Sequence, residues 1–318
     1  MKRYKTFFLA ILAVVTLGSC QKDPLKEIEE GNWNKEKRII SLLFERQAGD
    51  ASISINADDS SRGSISVTIV NPDLSQPLMI RKMEISYGAS ASVEAGEALA
   101  FDAATGTADI VVTSATGAER IYTVSVTSLI EDLEGTWDIT GLNVFGGTGA
   151  YYGGVDFVDL TTDSSWWDPQ TGVAAEMDNT LEFKFEGVDE NGRTYGTCIH
   201  NAGEDGLYAD FVWEGELPAD QSVTDVNYNY RKIPQGESVW TRDYTSGTIT
   251  FTSQDNVQTS CTLVARGEIE YWGKLLNIEN NALKFTGLLS IGSWGPIYSV
   301  YDKVVYAPWD YYVQIKKR

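Results

Sequence analysis

Histidine occurs once in these 318 residues, at His200, and cysteine three times, at Cys20, Cys198 and Cys261. That scarcity leaves no cluster of imidazoles and thiolates with which to build a zinc site. A Ser–His–Asp arrangement would need His200 as its base. No Gly-x-Ser-x-Gly turn accompanies it, and Gly292-Ser293-Trp294-Gly295 has only a superficial likeness. His200, followed by Asn201-Ala202-Gly203, reads as a polar strand end. Positive charge is also short: 25 Lys and Arg face 45 Asp and Glu, for a formal net charge of −20. A field of that sign repels nucleic acid and anionic membrane surfaces as partners. Long apolar runs are absent after Leu17, so no later helix is expected to span a bilayer. No convincing helix appears from Leu133 onward.

What the chain does have begins at its N-terminus. Lys2, Arg3 and Lys5 precede an apolar run from Phe7 to Leu17 that is too short to span a membrane, and Leu17-Gly18-Ser19-Cys20 follows. This resembles a bacterial lipoprotein signal. The resemblance implies that residues 1–19 are removed and that Cys20 becomes an acylated N-terminus, anchored in a membrane. Residues 20–37 are polar and read as a tether. Lys22-Asp23 is similar to the export signal of Bacteroidetes surface lipoproteins, although such signals carry more acids. Surface display on an outer membrane is the expectation, with the periplasmic face as the alternative.

Residues 38–128 alternate apolar and polar with period two. Ile65, Val67 and Ile69 interleave with serine and threonine, as do Tyr122, Val124 and Val126. Six or seven short strands in this span fit an immunoglobulin-like sandwich, without the cysteine pair of antibody domains. Ile39–Phe44, Ile85–Ser90 and Arg120–Val126 resemble the Ig-like domain that follows the lipid anchor in many Bacteroidetes surface lipoproteins. There the domain is a spacer.

Residues 133–318 hold eight of the nine tryptophans. Strand-like runs are read at Thr136–Val144, Leu181–Glu186, Thr194–Ile199, Leu207–Trp213, Thr248–Thr252, Cys261–Ala265, Ala282–Thr286, Ile297–Tyr306 and Tyr311–Lys316. An all-β fold follows, either an antiparallel barrel or a jelly-roll, lectin-like sandwich. Gly135-Thr136-Trp137 resembles the opening of lipocalin-like barrels, in which the Trp plugs one end. The same resemblance implies that a basic residue among Lys316, Lys317 and Arg318 packs on that Trp. Cys198 and Cys261 lie in β-like runs, where they can pair or pack as buried thiols.

Paired carboxylates are the one catalytic pattern. Glu268 and Glu270 share a strand face about 7 Å apart, within range for glycoside hydrolysis. A solvated face in an acid-rich chain explains them as well. Asp156, Asp159, Asp163 and Asp168 offer oxygens without EF-hand spacing. Asp189-Glu190-Asn191-Gly192 reads as a hairpin turn.

Aromatics in turn-rich segments point elsewhere. Trp166-Trp167-Asp168, Tyr228 and Tyr230, Trp294, and Trp309 lie among Asp, Asn, Gly and Pro. Indole faces in loops either fold onto the core or bind, and sugar rings stack on them. Trp137, Trp213 and Trp240 are expected to be core. The reading is a non-enzymatic surface lipoprotein that binds glycan through Trp166, Trp167, Asp168, Tyr228, Tyr230, Trp294 and Trp309, with no cofactor. The resemblance implies a place beside an outer-membrane glycan transporter. A structural or adhesive lipoprotein is the second reading, and a glycosidase using Glu268 and Glu270 the third.

Overall fold

The computed structural model describes residues 34–219, 221–291 and 294–318. Cys20, the signal segment 1–19 and most of the tether therefore lie outside the described residues. The chain forms two compact units. The second takes Val126–Arg318 together with Phe44–Asp50 and Val67–Asp73, so the division is not a single cut in the sequence.

Eight strands fall within residues 38–129. They are β1 (Ile39–Phe44), β2 (Ser52–Ile55), β3 (Arg62–Val70), β4 (Leu78–Ile85), β5 (Ser90–Ala91), β6 (Ala98–Leu99), β7 (Thr107–Thr113) and β8 (Glu119–Leu129). They form a three-stranded sheet, β1-β4-β6, and a five-stranded sheet, β2-β3-β8-β7-β5. Along β8 the alternation read from sequence is realised, with Tyr122 and Val124 fully buried between half-exposed neighbours. The Tyr122 hydroxyl accepts from the Ile39 amide at 3.4 Å, which ties the two sheets together.

The second unit carries β9 (Gly135–Gly146), β10 (Asp156–Asp159), β11 (Thr180–Val188), β12 (Thr194–Asn201), β13 (Gly236–Asp243), β14 (Thr248–Thr252), β15 (Gln258–Tyr271), β16 (Lys274–Phe285) and β17 (Pro308–Lys317). All but β10 pair in an antiparallel meander, and β17 returns to pair with β9, so eight strands close a barrel. The barrel alternative is therefore the correct one, not the jelly roll. β10 adds only to the far half of β9.

Apolar residues face inward. Trp137, Leu181, Phe183, Trp240, Phe251, Phe285, Tyr311 and Val313 belong to one core that fills the lumen. On the outside, Lys184, Ser260 and Thr262 are polar or exposed. That is the reverse of a membrane-spanning barrel, whose apolar band faces out. Lys317 Nζ lies 5.4 Å from the Trp137 ring centroid, so Lys317 is the basic residue that packs on this Trp. Arg318 instead pairs with Asp138 at 2.8 Å.

Two expected strands are not strands. Leu207–Trp213 is irregular because loops satisfy its amides. Ala209 N donates to Glu176 Oε2, Phe211 N to Asn227 Oδ1 and Trp213 N to the Thr224 carbonyl. Ile297–Tyr306 is a turn followed by a five-residue π-type helix, Asp302–Tyr306, whose Val304 and Val305 are fully buried. These segments and residues 160–179 pack Leu160, Trp167, Phe211, Trp213, Tyr301 and Val304 over one end of the barrel core. β15 and β16 also run further than expected. They extend past the barrel, bend at a bulge between Ala265 and Gly267, and fold back along its outside. Tyr271 and Ile269 pack there against Phe145 and Phe157, and Lys274 pairs with Asp156 at 2.9 Å.

Candidate functional site

At the covered end of the barrel, β9 runs into a loop that cannot relax. Gly147 has φ +123°, and a Cβ there would lie 2.3 Å from the Gly154 carbonyl oxygen; one on Gly154 would lie 1.9 Å from that of Thr148. The chain between them is pinned by Asp302, which is fully buried. Its carboxylate accepts from the Thr148 amide at 2.6 Å and the Thr148 hydroxyl at 2.9 Å. The pinned loop lifts a short 3-10 turn, Ala150–Tyr152, that leaves Tyr151 87 % and Tyr152 69 % exposed.

Two further loops bring rings to these tyrosines. Trp272, at the tip of the β15–β16 hairpin, meets Tyr151 edge-on at 4.8 Å and 83°. Trp294 meets Tyr152 edge-on at 5.8 Å and 71°. Tyr298 donates its hydroxyl to the Tyr152 carbonyl at 3.1 Å. Trp272, Trp294 and Tyr298 are each about half exposed or more. Trp272 and Tyr298 also hold φ values of +53° and +75°. The left-handed region costs a non-glycine residue about 1–2 kcal/mol. Exposed aromatics held in strained backbone are not accounted for by core packing, and strain of this kind gathers at binding sites.

A separate cleft lies on the loops that cover the barrel. Trp166 stacks on Trp213 with centroids 5.6 Å apart and planes 23° from parallel, and Tyr301 stands edge-on to Trp213 at 5.8 Å. With Glu216, Pro218 and Ser299 they line about 360 Å³ of open space. Asp163 sets Trp166 in place by accepting from the Ser165 amide at the start of the turn Ser164–Trp166.

The residues expected to bind glycan separate into groups. Trp294 joins the exposed ring cluster and Trp166 lines the cleft. Trp167 is nearly enclosed, and only borders an apolar hollow beside Leu160, Asp168 and Val173. It is 3 % exposed, and its indole N–H donates to the Leu160 carbonyl at 2.9 Å, so it is a core side chain. Tyr230 is corrected likewise. It is buried among Phe211 and Tyr311, with its hydroxyl on the Val304 carbonyl, and burial pushes its phenol well above the ordinary value. Asp168 spends Oδ1 on its own loop, accepting from the Thr171 and Gln170 amides and the Thr171 hydroxyl. Those bonds, the Thr171 amide first, hold its carboxyl below the usual aspartate range. Trp309 is half-buried and packs edge-on against Phe145. Tyr228 is 44 % exposed on the turn Asn227–Tyr230, and its phenol lies near enough to Tyr230 and Tyr301 to act on both electrostatically.

Sequence reading missed Tyr151, Tyr152, Trp272 and Tyr298. The signal was present in Ala150-Tyr151-Tyr152-Gly153-Gly154 and Tyr271-Trp272-Gly273, aromatics set directly against glycines. Trp137, Trp213 and Trp240 are buried, as expected of core residues. Glu268 and Glu270 are exposed on β15, whose other face packs Ile269 and Tyr271 inward. His200 is buried, with Nε2 2.9 Å from Glu176 Oε1. The loop acids are turn caps or ion-pair partners: Asp159 on Thr161, Asp163 on Ser165 and Asp156 on Lys274. Cys198 and Cys261 are free and buried in the barrel core.

No family model and no curated protein matches the chain. Among solved structures, a Bacteroides fragilis "putative secreted protein" is similar at 16 % identity and a TM-score of 0.22. The match covers 30 % of this chain and 96 % of that one.

Proposed function

We propose that this protein is a lipid-anchored surface lipoprotein whose barrel unit holds glycan without cleaving it. The observation that carries the reading is the group of exposed rings at Tyr151, Tyr152, Trp272, Trp294 and Tyr298, delivered by three loops, of which the one carrying Tyr151 and Tyr152 is pinned by buried Asp302. Ring faces of this kind stack on the C–H patches of sugars, and pre-set loops reduce the ordering that binding costs. The Trp166–Trp213 cleft is a second place for a sugar ring. The anchor is assigned to Cys20 on the lipoprotein-type signal that precedes it, and the sandwich-like first unit serves as spacer. The outer membrane is the proposed site, and an outer-membrane glycan transporter the proposed partner.

Native gels cast with a panel of neutral polysaccharides test the binding. Retardation by at least one glycan is expected, weakened in Trp272→Ala and Trp294→Ala. No retardation by any of them, or retardation unchanged in both variants, refutes the site. Acylation is read from the mass of the mature N-terminal peptide, and Cys20→Ser should abolish it. An adhesive role remains the second reading because the ring cluster is open, not enclosed, and would equally suit a protein surface. Gel retardation by no glycan together with capture of a defined protein ligand would select it.

A further inference from the structure

At the opposite end of the barrel the last strand and the bent hairpin enclose a groove of about 520 Å³. Arg266, Lys316 and Lys317 line it together with the amides Asn280 and Asn281 and the edge of Trp137. This gathering runs against the composition. Acids outnumber bases 45 to 25 in the chain, so a basic side chain has abundant carboxylates with which to pair. Among the described residues Arg266 and Lys316 form no ion pair or side-chain hydrogen bond. Lys317 has only the Asp132 carbonyl, at 3.1 Å, and the Trp137 ring.

The neighbouring acids are engaged elsewhere. Asp132, which borders the groove, pairs with Arg242. Asp138, the cross-strand partner of Lys316, is taken by Arg318 at 2.8 Å. Arg266 owes its position to the bulge between Ala265 and Gly267, which drops it out of the ladder register where the hairpin bends. Three cations and two carboxamides thus line a concave surface against one carboxylate, that of Asp132, which is paired with Arg242.

We propose that this groove binds a tetrahedral oxyanion, a phosphate or sulfate ester. A guanidinium offers two parallel N–H donors to such a group, ammonium groups supply point charges, and carboxamide N–H groups reach its remaining oxygens. The groove is larger than the ion itself and leaves room for the carrier of the ester. The site does not depend on the ring cluster at the other end.

Calorimetric titration of the full chain with inorganic phosphate and with sulfate, at ionic strength held constant with chloride, tests the proposal. Saturable binding that chloride does not reproduce is expected. Arg266→Gln and Lys316→Gln lie on exposed side chains and should each weaken it about tenfold, the usual weight of a hydrogen bond to a charged group. Their thermal unfolding midpoints should stay near that of the parent protein. Two competition arms identify the carrier. Displacement of phosphate by glucose 6-sulfate but not glucose assigns the group to a saccharide ester. Displacement by phosphatidylglycerol vesicles but not phosphatidylcholine vesicles assigns it to a lipid headgroup. No heat beyond the chloride control, or binding unchanged in both variants, overturns the proposal.

Discussion

Asp302 holds Thr148 by two hydrogen bonds, to its amide and to its hydroxyl, across 154 residues of sequence. The carboxylate is fully buried and belongs to the helical turn whose Val304 and Val305 seal the barrel core. The loop that carries Tyr151 and Tyr152 is therefore fixed to the core, not merely attached at its ends.

Removing that carboxylate should loosen the loop before it unfolds the barrel. Asp302→Ala leaves the amide and hydroxyl of half-buried Thr148 without their acceptor, and losing hydrogen bonds to a charged group costs about 1.5–3 kcal/mol. Denaturant unfolding should report a loss in that range. Hydrogen exchange should quicken across residues 147–154 more than across β11 or β12. Uniform quickening over the whole barrel would mean that Asp302 is a general stability residue and not a loop anchor.

The two thiols permit a simpler check. Burial pushes both Cys198 and Cys261 far above the ordinary thiol value, and the Glu182 carboxylate adds to the rise at Cys198. A thiol must ionise to react. The folded protein should therefore give no reaction with a thiol reagent at pH 8, and two thiols should titrate on denaturation once Cys20 is lipidated or replaced. Absence of both after denaturation would show that they pair.

Much of this was legible in the sequence, and the reason is periodic. Leu181, Phe183 and their neighbours alternate without interruption, so β11 could be read directly, and Tyr122 and Val124 did the same for β8. Leu207–Trp213 misled because its apolar spacing is that of a strand while its amides are taken by Glu176, Asn227 and Thr224, residues from distant loops. Periodicity does not reveal such partners. The same limit hid the candidate site. Trp166 and Trp167 are identical in sequence terms, yet one lines a cleft and the other donates to Leu160 from inside the core. Trp272 stood out least because it sits in a hairpin read only for its glutamates.

Acid should weaken the turns of the barrel. Asp189 is partly buried, which opposes its charge, but the Arg193 amide and guanidinium and the Asn191 amide outweigh this and lower its carboxyl below the ordinary value. A carboxyl whose folded value is depressed adds stability above its unfolded value, about 3.9, and loses it as pH falls through the folded one. Unfolding free energy should thus decline below about pH 4. Asp189→Asn should flatten that decline while remaining folded at neutral pH. An unchanged pH profile would show that this turn contributes nothing to acid sensitivity.

The sharpest test lies at the hairpin tip. Trp272 and Gly273 are the two loop residues between paired Tyr271 and Lys274, and both have positive φ, the form in which asparagine followed by glycine is favoured. A tryptophan there is the costlier choice, by on the order of 1 kcal/mol. Trp272→Asn should therefore raise the thermal midpoint or leave it unchanged, while weakening retardation by the glycan that the parent protein binds. Such a trade of stability for activity is what a residue kept for binding shows. If Trp272→Asn instead destabilises the barrel and leaves binding intact, the indole is a structural partner of Tyr151. The exposed rings would then lose their role as the glycan site.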